Sequence, residues 1–293
     1  MLKIACIPAY NEQNSISDII KRVQPFVDKV VVCDDGSTDK TEQKALDVGA
    51  HVIKHQKNLG KGNTLKSLFE YAKNIGADII VTIDGDGQFL PEEIPKIIEP
   101  VIKGKADVVI GYRFDDAKDM PSYRKIGNKF LDKMTNMATE LPFRDTQGGF
   151  RAYSKKAIGV IQFSTSGFGV DSEILIDASK KGLIIVEEKV TVIYNTGGKT
   201  STKTPIVHVS EVMKMLLEII VIHHPLKYLG LPGIILIIAG IAVGIFVLTI
   251  FNETRYFSIP FTLISISVTM LGLLLLLMSV VLFSIAKSIN QKS

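Results

Sequence analysis

The chain has 293 residues, 46% of them hydrophobic, with 34 Lys and Arg against 30 Asp and Glu for a formal net charge of +4. That length supports a sizeable core and one or two domains, and so mild a positive balance is no signature of nucleic-acid binding. The two cysteines, Cys6 and Cys33, both lie in apolar runs, which reads as two buried thiols in a reducing compartment and not as a disulfide framework.

In chain order, short apolar runs alternate with helical patterns. Strands are expected at Leu2–Ile7, Lys29–Cys33, His51–Lys54, Asp78–Ile83 and Asp107–Gly111. Helices are expected near Ser15–Gln24, Thr38–Val48, Gly62–Ile75 and Pro91–Lys103. This order implies an α/β fold, a mainly parallel sheet with helices on both faces. In such sheets ligands bind beyond the carboxyl ends of the strands. The chain opens directly on a strand, so this part is expected to stay in the cytoplasm.

The expected strand ends carry the chemistry. Ile7 leads into Pro8-Ala9-Tyr10-Asn11-Glu12, and Val32 into Cys33-Asp34-Asp35-Gly36-Ser37-Thr38-Asp39. Ile110 leads into Gly111-Tyr112-Arg113, and Ile83 into Asp84-Gly85-Asp86-Gly87-Gln88. Two carboxylates at i and i+2 repel unless a cation lies between them, and oxygen ligands favour Mg²⁺ or Mn²⁺. The plain alternative is an Asp/Gly turn. A calcium loop fits worse, because its sixth position would be Phe89 and its twelfth Pro95. Gly60-Lys61-Gly62 looks like a phosphate cradle ahead of a helix without being a Walker loop, and Gly198-Lys199-Thr200 fails that test because Ile193 stands where glycine is required. Asp34-Asp35-Gly36-Ser37 also reads as a turn with Ser37 or Thr38 capping the next helix.

Further along, Arg124 opens a helix, and Asp145-Thr146-Gln147-Gly148-Gly149-Phe150-Arg151 contains a glycine pair suited to close backbone approach. An apolar-periodic helix, Ile174–Lys181, follows Asp171 and Glu173, which read as site residues or as complements to the helix dipole. Gly182–Tyr194 reads as two short strands, and Asn195–Thr204 as a mobile loop bearing Lys199 and Lys203. Residues 205–227 form an expected juxtamembrane helix, with His208, Glu211, Lys214 and Glu218 on a polar stripe and His223-His224 as an interfacial feature. The uncharged runs Tyr228–Asn252 and Tyr256–Ala286 each exceed the roughly 20 residues needed to cross a bilayer. Lys227, Lys287 and Lys292 flank the outer ends and Glu253 and Arg255 lie between the runs, so both ends are expected in the cytoplasm with the loop outside.

These motifs occur in the order found in family 2 glycosyltransferases of the GT-A fold, and the chain most resembles the polyprenyl-phosphate hexose synthases, the dolichyl-phosphate mannose and glucose synthases among them. The resemblance spans roughly residues 1–205. It implies a Rossmann-like GT-A domain over 1–204, then the interfacial helix, then a two-helix transmembrane hairpin over 228–287. By that resemblance Pro8, Tyr10, Glu12, Asp34, Asp35, Lys61, Asp84 and Gly85 bind the nucleotide sugar, with Asp35 favoured over Asp34 as acceptor for the base. Asp84, Asp86 and Gln88 form the metal and diphosphate group, with Asp86 the direct ligand of Mg²⁺ or Mn²⁺. Arg113 and Arg124 hold the acceptor phosphate with Lys199, Lys203, Asp145 and Gln147, although this chain lacks the arginine that opens the relatives' Arg-x-x-Gly-x-Ser-Lys pattern.

The implied reaction is metal-dependent, inverting transfer of one hexose from GDP-mannose or UDP-glucose to polyprenyl or dolichyl phosphate, on the cytoplasmic face of a membrane in which the chain is multi-pass. A homo-oligomer is compatible with so small a hairpin. A processive polysaccharide synthase is discounted, because its Gln-x-x-Arg-Trp motif needs a tryptophan and the chain has none. The remaining rivals are a glycosyltransferase with another lipid acceptor and a non-catalytic membrane assembly subunit.

Overall fold

The computed structural model describes residues 1–113, 129, 132, 133, 135, 136, 139, 141–163, 169–193 and 225–290. The chain divides into two compact units, Met1–Val212 and Met213–Ser293. Arg124, Lys199, Lys203, the juxtamembrane stripe, His223 and His224 lie outside the described residues.

The first unit is built on a seven-stranded sheet. Its elements are β1 (Lys3–Ala9), α1 (Ile16–Val23), β2 (Lys29–Asp34), α2 (Thr41–Asp47), β3 (His51–Lys54), α3 (Lys61–Asn74), β4 (Ile79–Thr82) and α4 (Ile94–Ile102). There follow β5 (Val108–Tyr112), β6 (Arg151–Ser154), α5 (Lys155–Val160), α6 (Val170–Lys180) and β7 (Ile185–Lys189). The strand order is β3-β2-β1-β4-β6-β5-β7. β1, β2, β3 and β4 pair in parallel, and β5 pairs in parallel with β7. β6 runs antiparallel to both β4 and β5, so every other strand points the same way.

The alternation along β1 sorts the core into two layers, because successive strand residues face opposite sides. Ala5, Ile7 and Ala9 face one layer with Ile16, Ile19, Ile20 and Val23 of α1 and Ile94, Ile97 and Ile98 of α4. Ile4 and Cys6 face the other with Leu65, Leu68 and Phe69 of α3 and Ile174 and Leu175 of α6. The spacing Ile16, Ile19, Ile20, Val23 is the apolar stripe of a helix laid on a sheet. With both faces covered, the central strands are buried almost throughout, as parallel sheets require.

The expected strands and helices hold to within a few residues at each end. Three details differ. The sheet contains an unexpected antiparallel strand, β6. Among the described residues of the stretch expected as two strands, 182–193, there is one strand, β7, and an isolated bridge between Phe89 and Val192. Neither Ser37 nor Thr38 caps α2, which starts at Thr41; Asp39 Oδ1 accepts from the Thr41 amide at 2.9 Å.

The second unit contains two long helices, α7 (Leu231–Thr254), entered through a π-helical turn at Leu226–Gly230, and α8 (Ile259–Asn290). Both are long and apolar enough to cross a membrane, over Leu226–Thr254 and Ile259–Ile285. They pack through small residues. A Cβ on Gly233 would lie 2.8 Å from the Gly272 carbonyl, and one on Gly240 would overlap the Thr269 side chain. Ser265 Oγ donates to the Gly240 carbonyl at 2.8 Å. Close approach of this kind is the usual basis of helix association among apolar side chains. Arg255 closes α7 in the left-handed region at φ 56.

Candidate active site

The parallel ends of β1, β2 and β4 bring three loops to one rim, and hydrogen bonds tie them together. Asn11 adopts φ 57, a conformation asparagine tolerates better than most residues. Its amide donates to Ser37 Oγ at 2.8 Å, and its Oδ1 accepts from the Thr38 amide at 2.9 Å. The Glu12 amide donates to Thr41 Oγ1 at 2.8 Å. Ser15 Oγ donates to the Gly85 carbonyl at 2.7 Å and lies 3.2 Å from Glu12 Oε2. The first loop is thereby fixed to both its neighbours. The sequence reading gave neither Asn11 nor Ser15 a role of its own. Tyr10 stays exposed on this rim, and Gly85 seats against Pro8, whose carbonyl would be 3.2 Å from a Cβ there.

Glu12, Asp84 and Asp86 share the crevice. Burial, then the charge of Asp84, pushes the Asp86 carboxyl up to about 6. Burial, then Asp86, pushes Glu12 up to about 7. Asp86 Oδ1 also accepts from the Gln88 amide at 3.0 Å, which shapes the turn. Among the described residues no group of three His, Cys, Asp or Glu side chains is assembled to hold a metal by itself. Two mutually repelling carboxylates without a full cage fit a hard cation that takes its remaining ligands from water and phosphate. Asp84 and Asp86 are the residues that would hold it, and Gln88 adjoins them.

Lys61 answers this negative charge. It is the first residue of α3, behind Gly60 at φ 90. Its Nζ lies 3.3 Å from Asp84 Oδ1 and 3.0 Å from Asp171 Oδ2. Burial disfavours its charge, but Asp171 and Asp84 outweigh burial and hold the ammonium above the usual lysine value. Asp171 sits in the first turn of α6 and is also 3.7 Å from Arg151. It therefore does more than complement a helix dipole: it links the half-buried Lys61 to the buried Arg151.

The segment 145–151 reaches the same rim because β6 runs antiparallel, with Arg151 opposite Thr82. Thr82 Oγ1 donates to the Gly149 carbonyl at 2.9 Å. A Cβ on Gly149 would overlap the Asp84 carboxylate, which explains the glycine there. Arg151 is 1% exposed and donates to the carbonyls of Gly148, Asp171 and Thr146 at 2.8, 2.9 and 2.7 Å. Gln147 Nε2 donates to Ser172 Oγ at 2.7 Å. Arg113 Nε lies 2.8 Å from the fully buried Asp145 Oδ2, so these two predicted residues meet as an ion pair. Burial pushes the Asp145 carboxyl up, and Arg113 opposes that shift.

Asp35 and Asp34 have different surroundings. Asp35 Oδ1 accepts from the Leu59 amide at 2.9 Å and faces His55 Nδ1 at 2.7 Å, while its Oδ2 accepts from the Gly60 amide at 2.8 Å. Both oxygens serve the loop ahead of Lys61. Asp34 differs: Ser37 engages its Oδ1, whereas its buried Oδ2 has no hydrogen-bond partner among the described residues. A buried carboxylate oxygen without a partner is uncommon and is free to accept from a ligand donor.

A mainly parallel sheet whose strand ends gather a carboxylate pair, a lysine against it and a neighbouring arginine–aspartate pair has the form of a GT-A glycosyltransferase. Residues 4–161 match glycosyl transferase family 2. The chain is 34% identical over 211 residues to the UDP-N-acetylglucosamine–dolichyl-phosphate N-acetylglucosaminyltransferase of Methanococcus voltae, covering 64% of this chain and 84% of that protein. It is 31% identical over 185 residues to the dolichol-phosphate mannosyltransferase of Pyrococcus furiosus, covering 58% of this chain and 51% of that one. The fold is shared with glucosyl-3-phosphoglycerate synthase from Mycobacterium tuberculosis, solved with Mn²⁺, UDP and phosphoglyceric acid, at a TM-score of 0.56 and 22% identity over 74% of this chain and 78% of that one. The protein belongs to glycosyltransferase family 2.

Proposed function

We propose that this glycosyltransferase moves one hexose from a nucleoside-diphosphate sugar to the phosphate of a membrane polyprenol, with inversion and with a divalent cation, Mg²⁺ or Mn²⁺. The observation that carries the reading is the single rim on which Glu12, Asp84, Asp86 and Lys61 stand beside the Arg113–Asp145 pair. The names of the two relatives above, both dolichyl-phosphate transferases, support the acceptor class.

In this reading Tyr10 and Asp34 take the base, Asp34 through its unpartnered oxygen, with Pro8, Glu12 and Gly85 shaping the nucleotide site. Asp84 and Asp86, with Gln88 beside them, hold the cation, which when bound neutralises charge on the leaving diphosphate. Lys61 faces the same charge from the start of α3. A phosphate acceptor is already ionised at neutral pH, so the protein's task is alignment and not proton removal. Arg113, oriented by Asp145, and Arg124 supply donors to that phosphate, and a planar guanidinium suits phosphate geometry. Gln147, Lys199 and Lys203 complete the acceptor side. An acceptor oxygen forms the new bond at the anomeric carbon as the bond to the nucleoside diphosphate breaks on the opposite face, so an α-linked donor gives a β-linked product. Long apolar helices in the same chain bring such a site to a lipid substrate.

The test is transfer by purified membranes supplied with dolichyl or undecaprenyl phosphate, Mg²⁺ or Mn²⁺, and labelled GDP-mannose, UDP-glucose or UDP-N-acetylglucosamine in separate reactions. Cation-dependent label in the lipid extract, lost in Asp86→Ala, is the expected result and names the donor. Nucleotide binding without lipid-linked label would point to a different acceptor. No nucleotide binding at all would return the assembly-subunit reading.

A further inference from the structure

His55 lies outside every motif used above, yet it stands at a junction. Its Nδ1 is 2.7 Å from Asp35 Oδ1, its Nε2 is 3.0 Å from Ser67 Oγ on α3, and its amide donates to the Asp34 carbonyl at 2.9 Å. A nitrogen facing a carboxylate carries a proton, so Nδ1 donates to Asp35, and Nε2 pairs with the Ser67 hydroxyl. Cys33 Sγ is 3.6 Å from the same Nε2, and Cys33, His55 and Asp35 thus have the outline of a nucleophilic triad. The thiol is fully buried, and burial pushes it up to about 12. A thiol that cannot ionise or be reached is no nucleophile.

The alternative role follows from what Asp35 holds. Its oxygens accept from the amides of Leu59 and Gly60, the two residues before Lys61. Gly36 locks the same corner at φ +71, where a Cβ would lie 2.5 Å from the Lys57 backbone. One ring therefore connects the end of β2, the loop before α3 and the second turn of α3. Lys61 departs from the end of that loop to reach Asp84 and Asp171.

We propose that His55 is a positioning residue: through Asp35 and Ser67 it sets the loop that places Lys61 against the donor diphosphate. It touches no substrate itself. The diphosphate part of this inference rests on the function proposed above; the loop-setting part does not.

The experiment uses the full chain in lipid nanodiscs and compares His55→Leu, which removes both ring contacts, with His55→Asn, whose amide N–H replaces the Nδ1 donor. Hydrogen–deuterium exchange reads the Leu59 and Gly60 amides, and steady-state kinetics with the active donor and a polyprenyl phosphate read the site. In His55→Leu, exchange at those amides is expected to rise, and KM for the donor to rise, each about tenfold, the loss of one hydrogen bond to a charged group. With kcat and the acceptor KM held within about twofold, the effect belongs to donor binding and not to chemistry or to general unfolding. His55→Asn restores most of both changes. Ser67→Ala gives the same pattern at about threefold and serves where His55→Leu does not purify. Unchanged exchange at Leu59 and Gly60, a His55→Asn as impaired as His55→Leu, or a fall in kcat at constant KM would each overturn the proposal. Faster loop exchange in His55→Leu, when the wild type itself transfers no sugar, would uphold the loop setting and sink the donor-site reading instead.

Discussion

At Asp86 folding and chemistry pull in opposite directions. The carboxyl moves from 3.8 to about 6 through burial and the neighbouring Asp84, and Glu12 moves from 4.5 to about 7 through burial and Asp86. A raised value means that the folded chain binds the proton more tightly than the unfolded one. Stability from these groups is therefore fully present below the ordinary carboxylate values, falls as pH rises to about 6 and 7, and is absent above that window. Asp86→Asn should accordingly raise the melting temperature by a few degrees in cation-free buffer at pH 7.5, while cutting sugar transfer at least about hundredfold. Thermal melts and the transfer assay on the same preparation check both halves. In the wild type, Mg²⁺ or Mn²⁺ should raise the melting temperature at pH 7.5 and lose that effect below about pH 6, where protons compete for the carboxylates. The carboxylate pair and Lys61 were legible because strand ends, charge spacing and a glycine before a helix are local signals. The different surroundings of Asp34 and Asp35 were not, since they depend on what the loop between β3 and α3 brings from about 20 residues away.

Among the elements, β6 matters most to the site and was hardest to read. Arg151-Ala152-Tyr153-Ser154 starts on a charged residue and is four residues long, so neither alternation nor an apolar run announces it. Its antiparallel entry brings Gly149 against Asp84 and buries Arg151 beneath the segment that carries Asp145 and Gln147. The motif was visible; its reason for being near the carboxylates was not, because that depends on the strand order. Arg151→Leu would leave the carbonyls of Thr146, Gly148 and Asp171 without their donor and remove a cation from Asp171. We expect a loss of about 3–5 kcal/mol in urea unfolding of the first unit, and Arg151→Lys should not repair it, because one ammonium cannot span three separated acceptors. Gly149→Ala is the sharper probe of chemistry. Its methyl group displaces Asp84, so transfer should fall at least about tenfold and the cation requirement should rise, with the urea midpoint moving far less than in Arg151→Leu.

For the whole molecule the decisive question is which side of the membrane each part faces. The two apolar runs were readable from hydropathy alone, whereas their packing through Gly233, Gly240 and Gly272 was not, since periodic small residues specify a contact only once the partner helix is in register. Lysines at 227, 287 and 292 against a short loop between the helices give the orientation expected from the sequence, with both ends in the cytoplasm. The native thiols make this simple to test. Cys6 and Cys33 are fully buried, and burial pushes both up to about 12, so a maleimide reagent has no competing target in the folded protein. A cysteine at exposed Tyr256, between the helices, should be labelled by an impermeant maleimide in intact cells. A cysteine at exposed Lys105, in the first unit, should be labelled only after permeabilisation. Label at both positions without permeabilisation would place the site outside, away from a cytoplasmic supply of nucleotide sugar. Protection of both until permeabilisation would mean that the helices enter the bilayer without crossing it, and the enzyme would then meet its lipid from one face alone.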